Sequence, residues 1–474
     1  MNRETRWKFV TTLVLLAGIL SAVSRASAQA NKVPAEAHAK IEAAIATFMA
    51  ASKVPGLSVA VVQKGEVAWS AGFGMADVEN SVPATSQTVY RVGSISKPLT
   101  ATAAMALWEQ GKLNLDSPMQ SYCPAFPQKP WPITTRQLLG HLGGIRYYKV
   151  PEYPYTESQS DPEVGNTRHF ENGIEGGMRF FASDPLLAQP GTHFHYSTQG
   201  YTLAGCAIEG ASEEKYADFV RKSVLLPAGM LQTRPDDRLA IVPLRTRFYS
   251  KDKSGALVNA EFLDASYKVA GGGWLSSAPD MARFAAATLS DRLVGRATRD
   301  VMWTQQMPTD GLGRMAYGLG WQFGAVGDVK VVGHGGSQQG TSAMMLIAPE
   351  AKVAVVVLTN SDGVDAPGLA TRLLGIVLGL PAPKRKEIAV DPTLYERYTG
   401  TYQLMDFRMV IVREDDRLIA QINGRKTALL PQSVRDYVLG NSESAVTFVT
   451  GGNGRATELI LREGGCDVYL SRVK

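Results

Sequence analysis

The sequence predicts an α/β protein in which helices flank an antiparallel sheet, followed by a small all-β domain. Residues 34–53 carry apolar side chains at helical spacing, and two strand-like runs, 57–63 and 66–72, follow around a Lys-Gly turn. Three strand-like runs return after residue 329, and a helical pattern over 366–380 follows them. A helix beside a hairpin at the start, and strands followed by a helix at the end, predict one sheet assembled from both ends of a domain.

The stretch between these ends, about residues 94 to 325, is richer in helices and long loops. We assign residues 29–380 to this α/β domain. Residues 381–393 are predicted as an extended linker because prolines and basic residues stand close together. Residues 394–474 are predicted as the small all-β domain, since short strand-like runs alternate there with turn residues.

Composition and charge place the chain among folded globular proteins. Its 474 residues exceed what a single core usually holds, and 45% hydrophobic with 20% charged residues is typical of globular chains. The formal net charge of +5 is concentrated at the N-terminus. Because the remainder is nearly neutral and has no basic tract, no nucleic-acid partner is predicted.

Residues 1–28 are typical of a secretory signal peptide. Basic residues come first, an apolar run of about 15 residues extends from Phe9 to Val23, and Ala26-Ser27-Ala28 provides a small-residue cleavage site. The run is shorter than the roughly 20 residues that span a bilayer. We therefore expect cleavage near Ala28, no stable membrane insertion afterwards, and a periplasmic or secreted mature protein.

The three cysteines, Cys123, Cys206 and Cys466, are interpreted as small buried residues. An oxidising compartment permits one disulfide and leaves one thiol unpaired, and the sequence does not decide whether a bond forms. His193 and His195 alternate on a predicted strand, but no third ligand converges with them in sequence. No metal or organic cofactor is therefore predicted.

A candidate nucleophile lies in Ser94-Ile95-Ser96-Lys97, directly before a predicted helix at 99–110. A serine hydroxyl needs a base, and Lys97 falls one helical turn from Ser94 on the same face. The helix N-terminus adds partial positive charge and N–H groups that suit an oxyanion. Burial and this field both favour the neutral, basic form of the lysine.

Two further motifs follow in order, Tyr196-Ser197-Thr198 and His334-Gly335-Gly336. With Ser94-x-x-Lys97 they resemble the three motifs of serine β-lactamases and penicillin-binding proteins. The similarity is widest with the class C branch, which includes esterases and D-aminopeptidases, and extends to the mitochondrial serine β-lactamase-like protease. It spans about residues 35–380 and implies a β-lactamase/transpeptidase-like fold, while the C-terminal domain resembles the small lipocalin-like barrels appended to family peptidases.

The resemblance implies a role for each motif residue. Ser94 corresponds to the acylated nucleophile, Lys97 assists its deprotonation, and Tyr196 is the general base that relays a proton to the leaving group. The implied oxyanion donors are the backbone N–H groups of Ser94 and Ser337. The residues implied to bind substrate are Thr198, His334, Gly335, Gly336 and Ser337.

Two departures bear on the substrate. Thr198 stands where class C β-lactamases have asparagine, and His334 stands where they have lysine, so a permanent charge for a substrate carboxylate is missing. We expect a serine acyl-hydrolase whose partner is a small-molecule or peptide substrate, an amide or ester that includes D-amino-acid peptides. The alternatives are a β-lactamase and a catalytically weak scaffold with the same fold. The oligomeric state and the role of the aromatic segment Arg146–Pro185 stay open.

Overall fold

The computed structural model describes residues 32–148, 169–309, 311, 313–381, 387–405, 407–422, 425–440, 442 and 444–473. The predicted signal peptide lies outside these residues, as do Tyr153, Tyr155 and part of the predicted linker. The domain boundaries at residues 28, 380 and 393 stay predictions.

In the described part of the chain, seven antiparallel strands form the central sheet. Its inner strands Gly56–Gln63 and Val353–Thr359 pair side by side, with Val59 opposite Val357. Because helices cover both faces, nearly every residue of these strands is buried, and apolar residues run along them without strict alternation. In sheet order the strands are Gln322–Val326, Val329–Gln338, Thr341–Ala348, Val353–Thr359, Gly56–Gln63, Glu66–Asp77 and Val82–Pro83.

Two hydrophobic layers cover this sheet. Helices Ala35–Ser52 and Ala366–Val377 pack on one face, and Ala278–Thr288 packs on the other. The sheet flanked by helices is thus confirmed, although the last helix ends before the predicted residue 380, since Gly379 turns to a φ of 69°. The helix Ser96–Glu109 packs against Thr198–Ser212, Tyr216–Val220, Val269–Gly272 and Arg296–Met302. The described residues also form the short helices Thr135–Leu139, Gly173–Met178 and Leu226–Ala228.

The C-terminal residues form a closed barrel. Gly400–Leu404 pairs with Phe407–Glu414 and also with Cys466–Val473, so the first and last strands close the ring. Buried side chains such as Tyr402 and Phe448 fill its interior. The small all-β domain is therefore confirmed, but only half of its strands were predicted. The additional ones are Arg425–Pro431, Asp436–Leu439, Ala456–Glu463 and Cys466–Val473, beside Gly400–Leu404, Phe407–Glu414, Arg417–Ile422 and Ala445–Thr450.

The barrel packs directly against the α/β part. The short strand Arg314–Met315 pairs with the last barrel strand, placing Met315 opposite Val468. Leu142, Phe194 and Tyr317 join the buried cluster of the barrel. The barrel therefore supports the chain segment that leads into the Tyr196 motif.

The cysteines are buried, as interpreted, and two of them are bonded. Cys123 and Cys206 form a disulfide, whereas Cys466 is a buried free thiol. The bond ties the loop around Cys123 to the helix Thr198–Ser212, which begins at the second motif.

The predicted strand around His193 and His195 is wrong. This segment is irregular, and the two rings stack with their centroids 6.1 Å apart. Within the described ranges, no three His, Cys, Asp or Glu side chains converge as metal ligands. Across the same ranges, no helix combines the length and apolar character needed to cross a bilayer.

Candidate active site

Ser94 lies in a tight turn between a strand and a helix. The strand Val89–Arg91 leads into a 3₁₀ turn, Gly93–Ile95, and the helix Ser96–Glu109 follows without a break. Gly93 takes a φ of 51°, which favours glycine. Ser94 therefore sits at the N-terminal end of a buried helix, where backbone N–H groups lack helical acceptors.

Lys97 points from this helix to the Ser94 hydroxyl. Its Nζ lies 3.0 Å from Ser94 Oγ, 3.2 Å from Thr198 Oγ1 and 2.7 Å from the carbonyl oxygen of Gly271. The side chain is fully buried. Burial, followed by the charge of Lys268, lowers the pKa of Lys97 well below its ordinary value of 10.5. The first and second sequence motifs therefore meet at this amine.

Tyr196 lies on the other side of the same amine. Lys97 Nζ is 4.7 Å from the centroid of the Tyr196 ring, and the phenol shares a hydrogen bond with Ser94. The ring of His141 packs on Tyr196 with centroids 4.2 Å apart. Burial, then the neighbouring Tyr147, raises the pKa of Tyr196 well above 10. The phenol is therefore protonated in the resting site.

The backbone around Tyr196 is held from both domains. Its N–H donates to Met405 Sδ of the barrel over 3.1 Å, and the next N–H, of Ser197, donates to His141 Nδ1 over 3.0 Å. Burial, followed by the charge of Lys97, lowers the pKa of His141 well below 6.5, so its imidazole is neutral and accepts this bond. These contacts set the position of the phenol relative to Ser94.

His334 is buried and both of its ring nitrogens contact protein groups. Nδ1 lies 2.6 Å from the carbonyl oxygen of Gly335, and Nε2 lies 2.9 Å from the Tyr317 hydroxyl. Because a carbonyl oxygen only accepts, Nδ1 carries the proton and Tyr317 donates to Nε2. Burial and the charge of Lys97 lower the pKa of His334 to about 3. The ring is thus neutral, and its nitrogens are directed to the protein and not to a substrate.

The third motif brings its backbone against the turn that holds Ser94. A Cβ built on Gly336 would lie 2.0 Å from the carbonyl oxygen of Val92 and 3.2 Å from Ser94 N. A Cβ on Gly93 would likewise lie 2.8 Å from Ser337 N. Glycine at these two positions therefore allows the N–H groups of Ser94 and Ser337 to approach each other, as an oxyanion site requires.

A pocket opens beside the nucleophile. Of the predicted site residues, Ser94, Thr198 and Ser337 line it, and Tyr147 and Tyr148 from the aromatic segment join them. His334, Gly335 and Gly336 do not line it. Ser337, the residue after the third motif, therefore lines the pocket, whereas the three motif residues lie outside its lining.

Several residues around the site were not assigned a role from sequence. The carbonyl oxygen of Gly271 is an acceptor for Lys97. Lys268 and Gln338 line the pocket, and Tyr317 holds His334. The glycine run at 271–273 is a sequence signal of close backbone packing in this region. In the structure a Cβ on Gly271 would lie 2.5 Å from Thr198 Cγ2.

Comparison with known proteins agrees with this geometry. The family described as Beta-lactamase matches residues 41–377. The chain belongs to the β-lactamase family of serine hydrolases. Its antiparallel sheet with flanking helices is the β-lactamase/transpeptidase fold, and the family resemblance of the three motifs is confirmed.

Relatives of this family member come from bacteria, archaea and animals. Human "Serine beta-lactamase-like protein LACTB, mitochondrial" is 34% identical over 379 residues, which cover 62% of this chain and 69% of that protein. Penicillin-binding protein 4* of Bacillus subtilis strain 168 is 27% identical over 442 residues, covering 88% and 95%. The solved structure of an octameric penicillin-binding protein homologue from Pyrococcus abyssi is 27% identical, covers 91% and 99%, and has a TM-score of 0.64.

The close approach at Gly336 can be tested with a matched pair of substitutions. Gly336→Ala is expected to slow acylation of Ser94 by about 10²-fold or more, since the added methyl group separates the two N–H donors. Gly335→Ala is the control, because its Cβ would meet Met344 Sδ only at an ordinary 3.6 Å. The measurement is the burst rate with a p-nitrophenyl ester. Equal rates in the two variants would contradict the oxyanion assignment.

Proposed function

We propose that this protein is an exported serine acyl-hydrolase that forms an acyl-enzyme on Ser94 with small amides or esters, including D-amino-acid peptides. The observation that carries this proposal is the buried Lys97 amine, 3.0 Å from Ser94 Oγ. A buried lysine with a lowered pKa is a base able to activate a serine hydroxyl near neutral pH.

Acylation follows from the contacts of Lys97. A neutral amine has two N–H groups and one lone pair, and the Gly271 carbonyl oxygen and Thr198 Oγ1 are acceptors for the two N–H groups. The lone pair is then directed to the Ser94 hydroxyl and accepts its proton as Oγ attacks the substrate carbonyl carbon. The oxyanion that forms is bound by the backbone N–H groups of Ser94 and Ser337.

Tyr196 supplies the proton for the leaving group in this proposal. Its pKa is raised, so the resting phenol is a proton donor and not the general base suggested by the family resemblance. Once Lys97 becomes an ammonium, the adjacent charge lowers the pKa of the phenol and favours proton release. The leaving group departs with this proton. Water then attacks the ester on Ser94 and gives a proton to the Tyr196 phenolate, while the Lys97 ammonium returns its proton to Ser94 Oγ as the acid product leaves.

The substrate preference rests on the second and third motifs. Thr198 lacks the amide that class C β-lactamases place there, and His334 is neutral and bound to Tyr317. Peptide or ester substrates are therefore favoured over β-lactams.

The test compares two chromogenic substrates on purified residues 29–474. D-Alanine p-nitroanilide is expected to be hydrolysed faster than a cephalosporin, and Ser94→Ala should abolish both activities while leaving the fold intact. Intact mass after a short reaction should reveal one acyl group on the parent protein. Activity that survives Ser94→Ala would refute the proposal, and fast Ser94-dependent cephalosporin turnover would make the protein a β-lactamase.

The pH dependence of hydrolysis distinguishes Lys97 from Tyr196 as the base that activates Ser94. Because Lys97 must be neutral, kcat/KM should rise with pH through a pKa well below 10.5. A phenolate base at Tyr196 would instead require pH values above 10. Tyr196→Phe should slow amide hydrolysis by roughly 10²-fold, and kcat/KM should still rise with pH as in the parent protein. A limb that disappears in Tyr196→Phe would assign the base to the tyrosine.

Export is supported by two independent features. Residues 1–28 have the pattern of a cleaved signal, and the Cys123–Cys206 disulfide is of a kind that persists in oxidising compartments. We expect the mature protein, expressed with its own N-terminus in a bacterial host, to begin at Gln29. Alkylation without reductant should then label Cys466 alone after denaturation. An intact N-terminus on soluble protein, or three labelled thiols, would contradict export.

A further inference from the structure

A second pocket lies beside the strand that leads to Ser94. Its volume is about 340 Å³, within the range of pockets that bind small molecules. Arg91, the last residue of that strand, lines it, but none of its described lining residues also lines the pocket of Ser94. The proposed acylation uses no side chain of this second pocket, so its shape and charges need another explanation.

Part of the pocket wall is apolar, and its apolar lining residues are Phe248, Ala260, Phe262 and Leu263. The side chain of Phe262 is 54% exposed, although phenylalanine is usually buried in folded proteins. Guanidinium groups lie against both rings, with Arg91 Cζ 4.0 Å from the Phe248 centroid and Arg238 Cζ 5.4 Å from that of Phe262. The wall therefore offers apolar surface directly beside charged groups.

Four arginines line the pocket, and three of them are paired with carboxylates. The pairs, with Nε–Oδ2 distances of 2.8, 2.7 and 3.3 Å, are Arg91–Asp236, Arg238–Asp264 and Arg247–Asp77. A further carboxylate, that of Glu79, lies 3.9 Å from Nη1 of Arg247. The charges of these three arginines are thus offset within the protein.

The fourth arginine, Arg245, has no carboxylate of its own. Within 4.0 Å, the one described carboxylate is that of Asp236, which lies 3.9 Å from Nη1 and already pairs with Arg91. The guanidinium donates from Nη1 to the carbonyl oxygen of Asp237 over 3.1 Å. Its other N–H groups have no acceptor among the described residues, and a guanidinium binds a carboxylate through two parallel hydrogen bonds. Arg245 is therefore suited to bind an anionic group of a ligand.

Glu261 lines the same pocket and has no cationic partner among the described residues. Burial, then the charge of Asp362, raises the pKa of Glu261 above its ordinary value of 4.5. Asp362 itself accepts from Ser250 Oγ and from the backbone N–H of Gly340, so no cation offsets it. A second anion is disfavoured beside these two carboxylates, whereas an ammonium group would relieve their repulsion.

We propose that this pocket binds a zwitterionic α-amino acid with an apolar side chain. Arg245 binds the carboxylate of the ligand, Glu261 binds its ammonium group, and the rings of Phe248 and Phe262 contact its side chain. A ligand with a single charge would leave either Arg245 or Glu261 without a partner. The proposal does not depend on hydrolysis at Ser94.

The experiment measures binding without turnover. The Ser94→Ala protein is titrated calorimetrically at pH 7 with leucine, with leucinamide, which lacks the carboxylate, and with N-acetylleucine, which lacks the ammonium group. Leucine should bind about 10-fold tighter than leucinamide, as expected for a charge-assisted pair with a guanidinium. It should bind about 3-fold tighter than N-acetylleucine, because Glu261 is exposed and its ion pairs are weak.

Substitutions then assign each preference to a residue. In the Ser94→Ala background, Arg245→Met should weaken leucine binding about 10-fold and leave the Kd of leucinamide unchanged. Glu261→Gln should weaken leucine binding about 3-fold and leave the Kd of N-acetylleucine unchanged. The matched control is Arg296→Met, because Arg296 is also an arginine whose carboxylate neighbour, Asp300, lies 3.9 Å away, and it does not line the pocket. Thermal unfolding checks that each variant is folded.

Four results would overturn the amino-acid site. They are no binding of leucine, equal Kd values for the three ligands, tighter binding of N-acetylleucine than of leucine, and leucine binding that is unchanged in Arg245→Met. The last result would place the ligand elsewhere, including the pocket of Ser94. If Arg245→Met does not fold, the comparison of the three ligands and the Glu261→Gln variant still decides. Because every titration uses an inactive protein, none of these results bears on Ser94-dependent hydrolysis.

Discussion

The burial of the Lys97 amine determines much of the structure around the site. A buried amine needs protein acceptors for its N–H groups, and two segments far from Lys97 in sequence provide them. Gly271 supplies a carbonyl oxygen at 2.7 Å, and the second motif supplies the Thr198 hydroxyl at 3.2 Å. The helix after residue 268 can approach Thr198 this closely only because residue 271 has no side chain. The buried amine of Lys97 therefore contacts the nucleophile, the second motif and the Gly271 carbonyl oxygen.

The position of Tyr196 also depends on buried contacts, and these come from both domains. His141 packs against the ring and accepts from the backbone of Ser197, while Met405 of the barrel accepts from the backbone of Tyr196. Tyr317 lies in the buried cluster of the barrel and also donates to His334. The barrel thus contributes to the packing that orients the phenol, a role that its sequence did not indicate. Loss of barrel packing is expected to act on catalysis through Tyr196 rather than through Ser94.

The sequence predicted the elements that depend on local patterns. The first helix, the hairpin and the Ser94–Lys97 relation follow from spacing within a few residues, and all three are observed. Half of the barrel strands were not predicted. Runs such as Arg425–Pro431 mix charged and apolar residues, because the outer face of the barrel is exposed to solvent. The positions of Lys268 and Gln338 in the pocket, and the contact of the Gly271 carbonyl oxygen with Lys97, depend on residues far apart in sequence. A local hydrophobic pattern does not predict such contacts. The sequence indicates that His334 carries no permanent charge, but only the fold reveals that its ring nitrogens contact Tyr317 and Gly335.

The two buried lysines also affect each other. Each ammonium destabilises the charged form of the other, so a cationic Lys268 helps to keep Lys97 neutral before substrate binds. Proton abstraction from Ser94 therefore depends on a charge that lies outside the three sequence motifs.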